Sequence, residues 1–246
     1  MKLCVIAPQH YLSWTCAGDW HFTIAPYIFK YPFYRQFYEN HDKPYCLIDS
    51  GMWELGRPIG NGLFVRAADV AKANEIIMPD KEFHPKQTLQ YTMAFLKETP
   101  ERDLKRFKLQ LVLQGKDYDG IIEWFRAFEL MDDIWPIECY GVPLYNKDWV
   151  GRIGVVQKLL QMTDKPLHLL GMHDPLEFAS YRSQQVRSAD GSFPVKVSMH
   201  RYKHTLDRPL PMFYRKSEET PYDPDLLEYF EHNISILQSA MSRNEH

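Results

Sequence analysis

Cysteine is scarce in this sequence, and Cys4, Cys16, Cys46 and Cys139 stand far apart with no CxxC pair among them. That spacing excludes a zinc knuckle or a disulfide framework and leaves buried free thiols as the expectation. Long hydrophobic runs are missing too. No segment approaches the roughly 18 apolar residues of a membrane span, and the apolar part of Met1 to Pro8 is too short for a secretory signal. No membrane partner is therefore expected, and the expected location is cytoplasmic. Low-complexity tracts are absent, and 45% apolar with 25% charged residues is the balance of an ordinary globular protein rather than a disordered one. The net charge of −3 rules out a uniformly basic coat of the kind that wraps nucleic acid non-specifically.

What is present is a regular alternation. Short apolar or β-branched runs recur at Leu3 to Ala7, Cys46 to Asp49, Glu75 to Asp80, Phe107 to Gln114, Ile137 to Leu144, Leu167 to Met172 and Val186 to Asp190. Between them, Pro85 to Lys97, Asp119 to Met131, Asp148 to Gln161 and Pro175 to Gln185 have helical spacing, several opening on Asp or Pro as caps. Repeated β-helix-β crossovers imply a parallel sheet buried on both faces. Seven or eight such units in 246 residues predict a compact TIM-type (β/α)8 barrel, read as one domain over residues 1–246. Asp223 to Ser242 predicts a terminal amphipathic helix, with Leu226, Leu227, Phe230, Ile234 and Leu237 on the packed face.

In such barrels the carboxyl ends of the strands carry the chemistry. Asp49, Asp80 and Asp190 each end a predicted core strand there, joined by Gln114 and Gly141. A carboxylate at the end of a buried strand loses solvation, so it is kept only when hydrogen-bonded, paired or used. Carboxylates in two roles suit glycosidic-bond chemistry, one at the anomeric carbon and one moving a proton at the leaving group. Past Asp190, residues 196–216 hold Lys196, Arg201, Lys203, Arg208, Arg215 and Lys216 against the single acid Asp207, interleaved with His200, Tyr202, His204 and Tyr214. Positive charge mixed with aromatic rings suits a phosphate backbone and unstacked bases.

The ordered set Asp49-Ser50-Gly51, Asp80, Gln114-Gly115, Gly141-Val142, Leu169-Leu170-Gly171 and Asp190 resembles the tRNA-guanine transglycosylases, TIM-barrel enzymes that exchange guanine for a 7-deazaguanine. The likeness covers roughly residues 46–194. It implies that Asp190 is the nucleophile at C1′ and Asp49 the general acid/base. It further implies that Asp80, Gln114 and backbone groups at Gly141 read the guanine edge, with Trp53 and His168 at base-stacking positions. Tyr145, Asn146, Met172 and His173 are candidates to face the substituent of the incoming base. Two departures follow. No cysteine comes after Cys139, so the family's zinc subdomain is absent; His200 and His204, four apart, lack a third ligand, so neither metal nor cofactor is expected. The chain also ends 56 residues after Asp190, and with Arg187, Ser188, Asp190 and Ser192 it is most similar to the compact bacteriophage enzymes that act on DNA. The implied partners are DNA, or alternatively tRNA, and a 7-deazaguanine base. The oligomeric state is read as monomer or homodimer, because the tRNA enzymes dimerise partly through the region missing here.

Overall fold

Eight short runs of buried residues pair side by side into one parallel sheet. They are β1 (Lys2–Val5), β2 (His21–Ile24), β3 (Cys46–Asp49), β4 (Glu75–Ile77), β5 (Lys108–Val112), β6 (Ile137–Pro143), β7 (Leu167–Leu170) and β8 (Val186–Gly191). The structure, a computed structural model, describes residues 1–130, 137–144, 149–172, 174–206 and 221–242. The strand order is β1-β8-β7-β6-β5-β4-β3-β2, with every neighbouring pair parallel. Between β1 and β2 the ladder shrinks to one bridge, Cys4 to Trp20, reinforced where the Asp19 and Trp20 amides donate to the Leu3 carbonyl at 2.8 and 3.2 Å. The sheet thus curls into a nearly closed barrel of the (β/α)8 type.

Helices lie between the strands, α1 (Ala25–Lys30), α2 (Pro32–Glu39), α3 (Met52–Leu55), α4 (Asn61–Val70), α5 (Pro85–Glu98), α6 (Glu101–Leu104), α7 (Tyr118–Glu129), α8 (Trp149–Leu159) and α9 (Pro175–Phe178), and α10 (Phe193–Met199) and α11 (Leu227–Ser242) follow β8. Local chemistry starts several of them. Asp117 accepts from the Gly120 amide at 2.8 Å and Asp174 from the Leu176 amide at 2.9 Å, while α5 opens on Pro85. The first crossover departs from the pattern, because Gln9–Ala17 is a 3-10 segment.

Four expectations need correction. Strand β2 went unseen because four residues between Trp20 and a Pro26-started helix show no periodicity; it exists because it pairs in register with β3. The run expected to reach Asp80 leaves the sheet after Ile77, where Pro79 has no amide hydrogen for a ladder. The helix expected over Pro175 to Gln185 stops at Phe178, and Gln185 instead donates to the carbonyls of Thr163 and Lys165 at 2.6 and 2.8 Å. On α11, Phe230, Ile234 and Leu237 are buried as expected, but Leu227 is exposed and Asn233 takes an interior place.

The amino end of the barrel is plugged by an ion pair. Arg187 on β8 donates to Glu75 on β4 at 2.9 Å, four positions away in the sheet order, and the Tyr45 hydroxyl donates to the same carboxylate at 2.6 Å. Trp20 and Tyr45 flank the guanidinium at 5.2 and 5.8 Å. At the wall formed by the 3-10 segment, Trp14 stacks on Phe230 of α11 with ring centroids 4.4 Å apart. The helix therefore packs against the body rather than waiting for a partner helix.

Candidate active site

Asp190 lies on β8, 3% exposed, and both of its carboxylate oxygens accept hydrogen bonds. The Gly171 amide donates to Oδ1 and Oδ2 at 3.3 and 3.2 Å, and His168 Nε2 stands 3.0 Å from Oδ1. A carboxylate only accepts, so His168 Nε2 carries a proton, and its Nδ1 lies 2.8 Å from the Ser188 hydroxyl. Gly171 directly follows β7 with φ +69°, a left-handed conformation that glycine adopts without penalty. The next amide, of Met172, donates to the Asp190 carbonyl at 2.8 Å. One turn thus grips Asp190 by side chain and backbone together.

Asp49 ends β3, and its Oδ1 accepts from the Gly51 amide at 2.7 Å. Gly51 has φ +76°, and a Cβ there would fall 2.2 Å from Pro26 Cγ, so a larger residue would push the loop off α1. Burial pushes the Asp49 carboxyl well above the usual range, and the negative charges of Asp80, Glu54 and Asp190 push the same way. Asp80 follows β4, and burial raises its carboxyl to about 6 against the opposing hydrogen bond from Gln114. That bond runs from Gln114 Nε2 to Asp80 Oδ2 at 2.6 Å, while Gln114 Oε1 accepts from the Phe83 amide at 3.0 Å. The three aspartates thus sit at one end of the barrel, and Asp49 feels the charge of both others.

The remaining expected site residues divide. Trp53 lies on α3 and is 66% exposed, so it is a ring available at the mouth rather than core filling. His168 is wholly buried with Phe22 stacked at a centroid distance of 6.4 Å, so its ring offers no open face for a base and its visible task is holding Asp190. Gly141 sits inside β6, where its carbonyl accepts from the Leu113 amide at 2.9 Å instead of facing the mouth. Its lack of a side chain makes room for Gln110, whose Nε2 would lie 2.7 Å from a Cβ at that position. Gln110 is fully buried, and its amide has no hydrogen-bond partner among the described residues. Met172, expected to face the incoming base, is buried with its sulfur 3.1 Å from Arg152. Tyr145, Asn146 and His173 lie outside the described residues.

The basic stretch is less free than the sequence implies. Lys196 is half-buried on α10. Arg201 pairs with Asp223 at 2.8 Å and Lys203 with Glu228, so two of its cations meet acids of the C-terminal segment. Arg208, Arg215 and Lys216 lie outside the described residues. The stretch is also anchored: Asn233 on α11 accepts from the His204 amide at 2.9 Å and donates to the Tyr202 carbonyl at 2.8 Å and the Ser198 hydroxyl at 3.1 Å. Three of the cysteines are buried as expected, whereas Cys16 is exposed.

Sequence reasoning missed a buried cluster behind this turn, Arg152 with Glu177 and Tyr181. A signal for it exists. Arg152, Val155, Val156 and Leu159 share the fully buried face of α8 at helical spacing, and a cation on an apolar stripe must have a partner. Among the described residues no group of three or more His, Cys, Asp or Glu is arranged to hold a metal ion, and no helix is long and apolar enough to cross a membrane. No protein-family model matches this chain, and no curated protein matches it.

Proposed function

We propose that this chain is a guanine transglycosylase of the compact, zinc-free kind, exchanging guanine in DNA for a 7-deazaguanine derivative. The observation that supports the reading most is the division of labour among the carboxyls at one barrel mouth. Asp190 is gripped by N–H donors and aimed by His168, while burial, reinforced by the charges of Asp80, Glu54 and Asp190, favours a retained proton on Asp49, and burial favours one on Asp80 below about pH 6.

In the first half-reaction an oxygen of Asp190 attacks C1′ and the bond to guanine N9 breaks. Its electron pair leaves with the base, which takes a proton from Asp49. A covalent nucleosyl ester remains on Asp190. In the second half the incoming base gives its N9 proton to Asp49 and attacks C1′, and the Asp190 carboxylate leaves. The proton lent to guanine is returned, so no cofactor is consumed.

Base choice rests on Asp80 and Gln114. A carboxylate accepts from N1–H and the 2-amino group of guanine, and the second hydrogen on Gln114 Nε2 suits O6; adenine would leave these groups mispaired. Trp53 supplies a stacking surface worth about 1–3 kcal/mol. The reacting base must be flipped out of a duplex or already single-stranded, since C1′ and the base edge are inaccessible within it. In a bacteriophage setting such a modification would protect DNA from restriction nucleases.

The test is incubation of the protein with a labelled 7-deazaguanine and either DNA or tRNA. Label is expected in DNA, and label only in tRNA would refute the DNA substrate. Asp190→Asn is expected to abolish exchange and any covalent adduct while leaving binding nearly intact; exchange at full rate in that variant would remove Asp190 from the nucleophile's place. Binding of guanine without exchange by the unaltered chain would make it a base-binding barrel instead.

A further inference from the structure

Arg152 is wholly buried, and its guanidinium has a partner for each of its five N–H bonds. Nε and Nη2 donate to the two oxygens of Glu177, each at 2.6 Å, and Nη2 also reaches the Met172 sulfur at 3.1 Å. Nη1 donates to the Leu170 carbonyl at 2.5 Å and to the Val142 carbonyl at 3.4 Å. Glu177, equally buried, accepts a further bond from the Tyr181 hydroxyl at 2.9 Å. A buried pair of this kind at best breaks even against apolar residues of the same volume, so fold stability alone is a weak account of it.

The contacts converge on one turn. Arg152 holds the residues on both sides of Gly171, through the Leu170 carbonyl and the Met172 sulfur, and ties the ends of β6 and β7 to α9. Gly171 itself has φ +69° with no atom within 4 Å of where a Cβ would stand, so side packing there does not fix it. Its amide and that of Met172 are the backbone groups that, beside His168, hold Asp190. We infer that Arg152, fixed by Glu177 and Tyr181, is the positioning residue of Asp190, acting through the 170–172 turn. It makes no hydrogen bond to the carboxylate itself. The catalytic consequence rests on the transglycosylase reading, whereas the grip on the turn does not.

Two variants of the full chain separate these claims. The double change Arg152→Met with Glu177→Leu removes both charges without orphaning one, and Arg152→Lys keeps the charge but cannot reach all five acceptors. The first measurement is amide hydrogen exchange at Gly171 by NMR, with Asp190→Ala as the reference for a lost side-chain acceptor. Exchange at Gly171 is expected to quicken by about tenfold or more in each variant, with protection in β1 to β5 unchanged. The second is base exchange, where kcat is expected to fall by on the order of 100-fold with KM for DNA nearly constant, as a misplaced reacting group demands. A folded variant of either kind that keeps Gly171 protected overturns the inference, even if only one of the two folds. If the unaltered chain exchanges no base, the transglycosylase reading falls while the Gly171 result still decides the clamp. Equal losses in kcat and in global protection would instead mark Arg152 as a purely structural residue.

Discussion

Replacing Asp80 by asparagine is expected to make the protein more stable at neutral pH while weakening its hold on guanine. Burial lifts the Asp80 carboxyl to about 6 from an ordinary 3.8. Between those values the folded chain keeps a proton that the unfolded chain has lost. The contribution is therefore fully present below pH 3.8 and is lost as pH rises through about 6. Above that, the cost of holding Asp80 ionised is roughly 3 kcal/mol, from 1.36 kcal/mol per pH unit between the two values. Asparagine never ionises, and its Oδ1 can still accept from Gln114 Nε2, the bond seen at 2.6 Å. Loss of the Asp80 charge also relaxes one of the pressures on Asp49. The gain should thus be about 2–3 kcal/mol at pH 8, or about 5–10 °C in melting temperature for a chain of this length, and should shrink below about 1 kcal/mol near pH 4. Thermal and urea unfolding of both proteins at the two pH values measures it. A gain of the same size at pH 4, or a loss at pH 8, would refute the assignment of burial as the cause.

Other outcomes follow from particular contacts. Gly141→Ala puts a methyl group 2.7 Å from Gln110 Nε2 and should cost about 1–3 kcal/mol in urea unfolding, with much of the loss recovered when Gln110→Ala is added. Additive losses would show that the two do not share that space. Asn233→Ala removes three hydrogen bonds between α11 and residues 198–204, two of them buried, and should cost about 2–3 kcal/mol, with faster amide exchange at His204 as the local sign. Stability unchanged within about 0.5 kcal/mol would mean the segment is held by other contacts.

Much of the barrel is legible in the chain because a parallel strand buried on both faces reads as a run of apolar residues, as Cys46 to Ile48 and Ile76 to Met78 do. Strand β2 escapes that rule: His21-Phe22-Thr23-Ile24 is too short and too mixed to stand out, and only its register with β3 makes it a strand. Asp49 and Asp190 could be read at the ends of strands, whereas Asp80 stands three residues beyond β4. Their neighbours could not, because His168 and Asp190 are 22 residues apart and Arg152 and Glu177 are 25 apart. The basic stretch misled for the same reason, since a charge count along 196–216 does not include Asp223 and Glu228, which fold back onto it.

By itself, then, the sequence determined the alternation, the eightfold-like count and the carboxylates at strand ends, all of which depend on residue type and short-range period. Tertiary structure alone decided which groups face each other. It turned His168 and Gly141 inward, set Trp53 at the surface, and placed an arginine clamp behind the turn that holds Asp190. Hydrogen bonds and desolvation act over a few ångströms in space, and in a barrel that distance routinely joins residues that the chain keeps far apart.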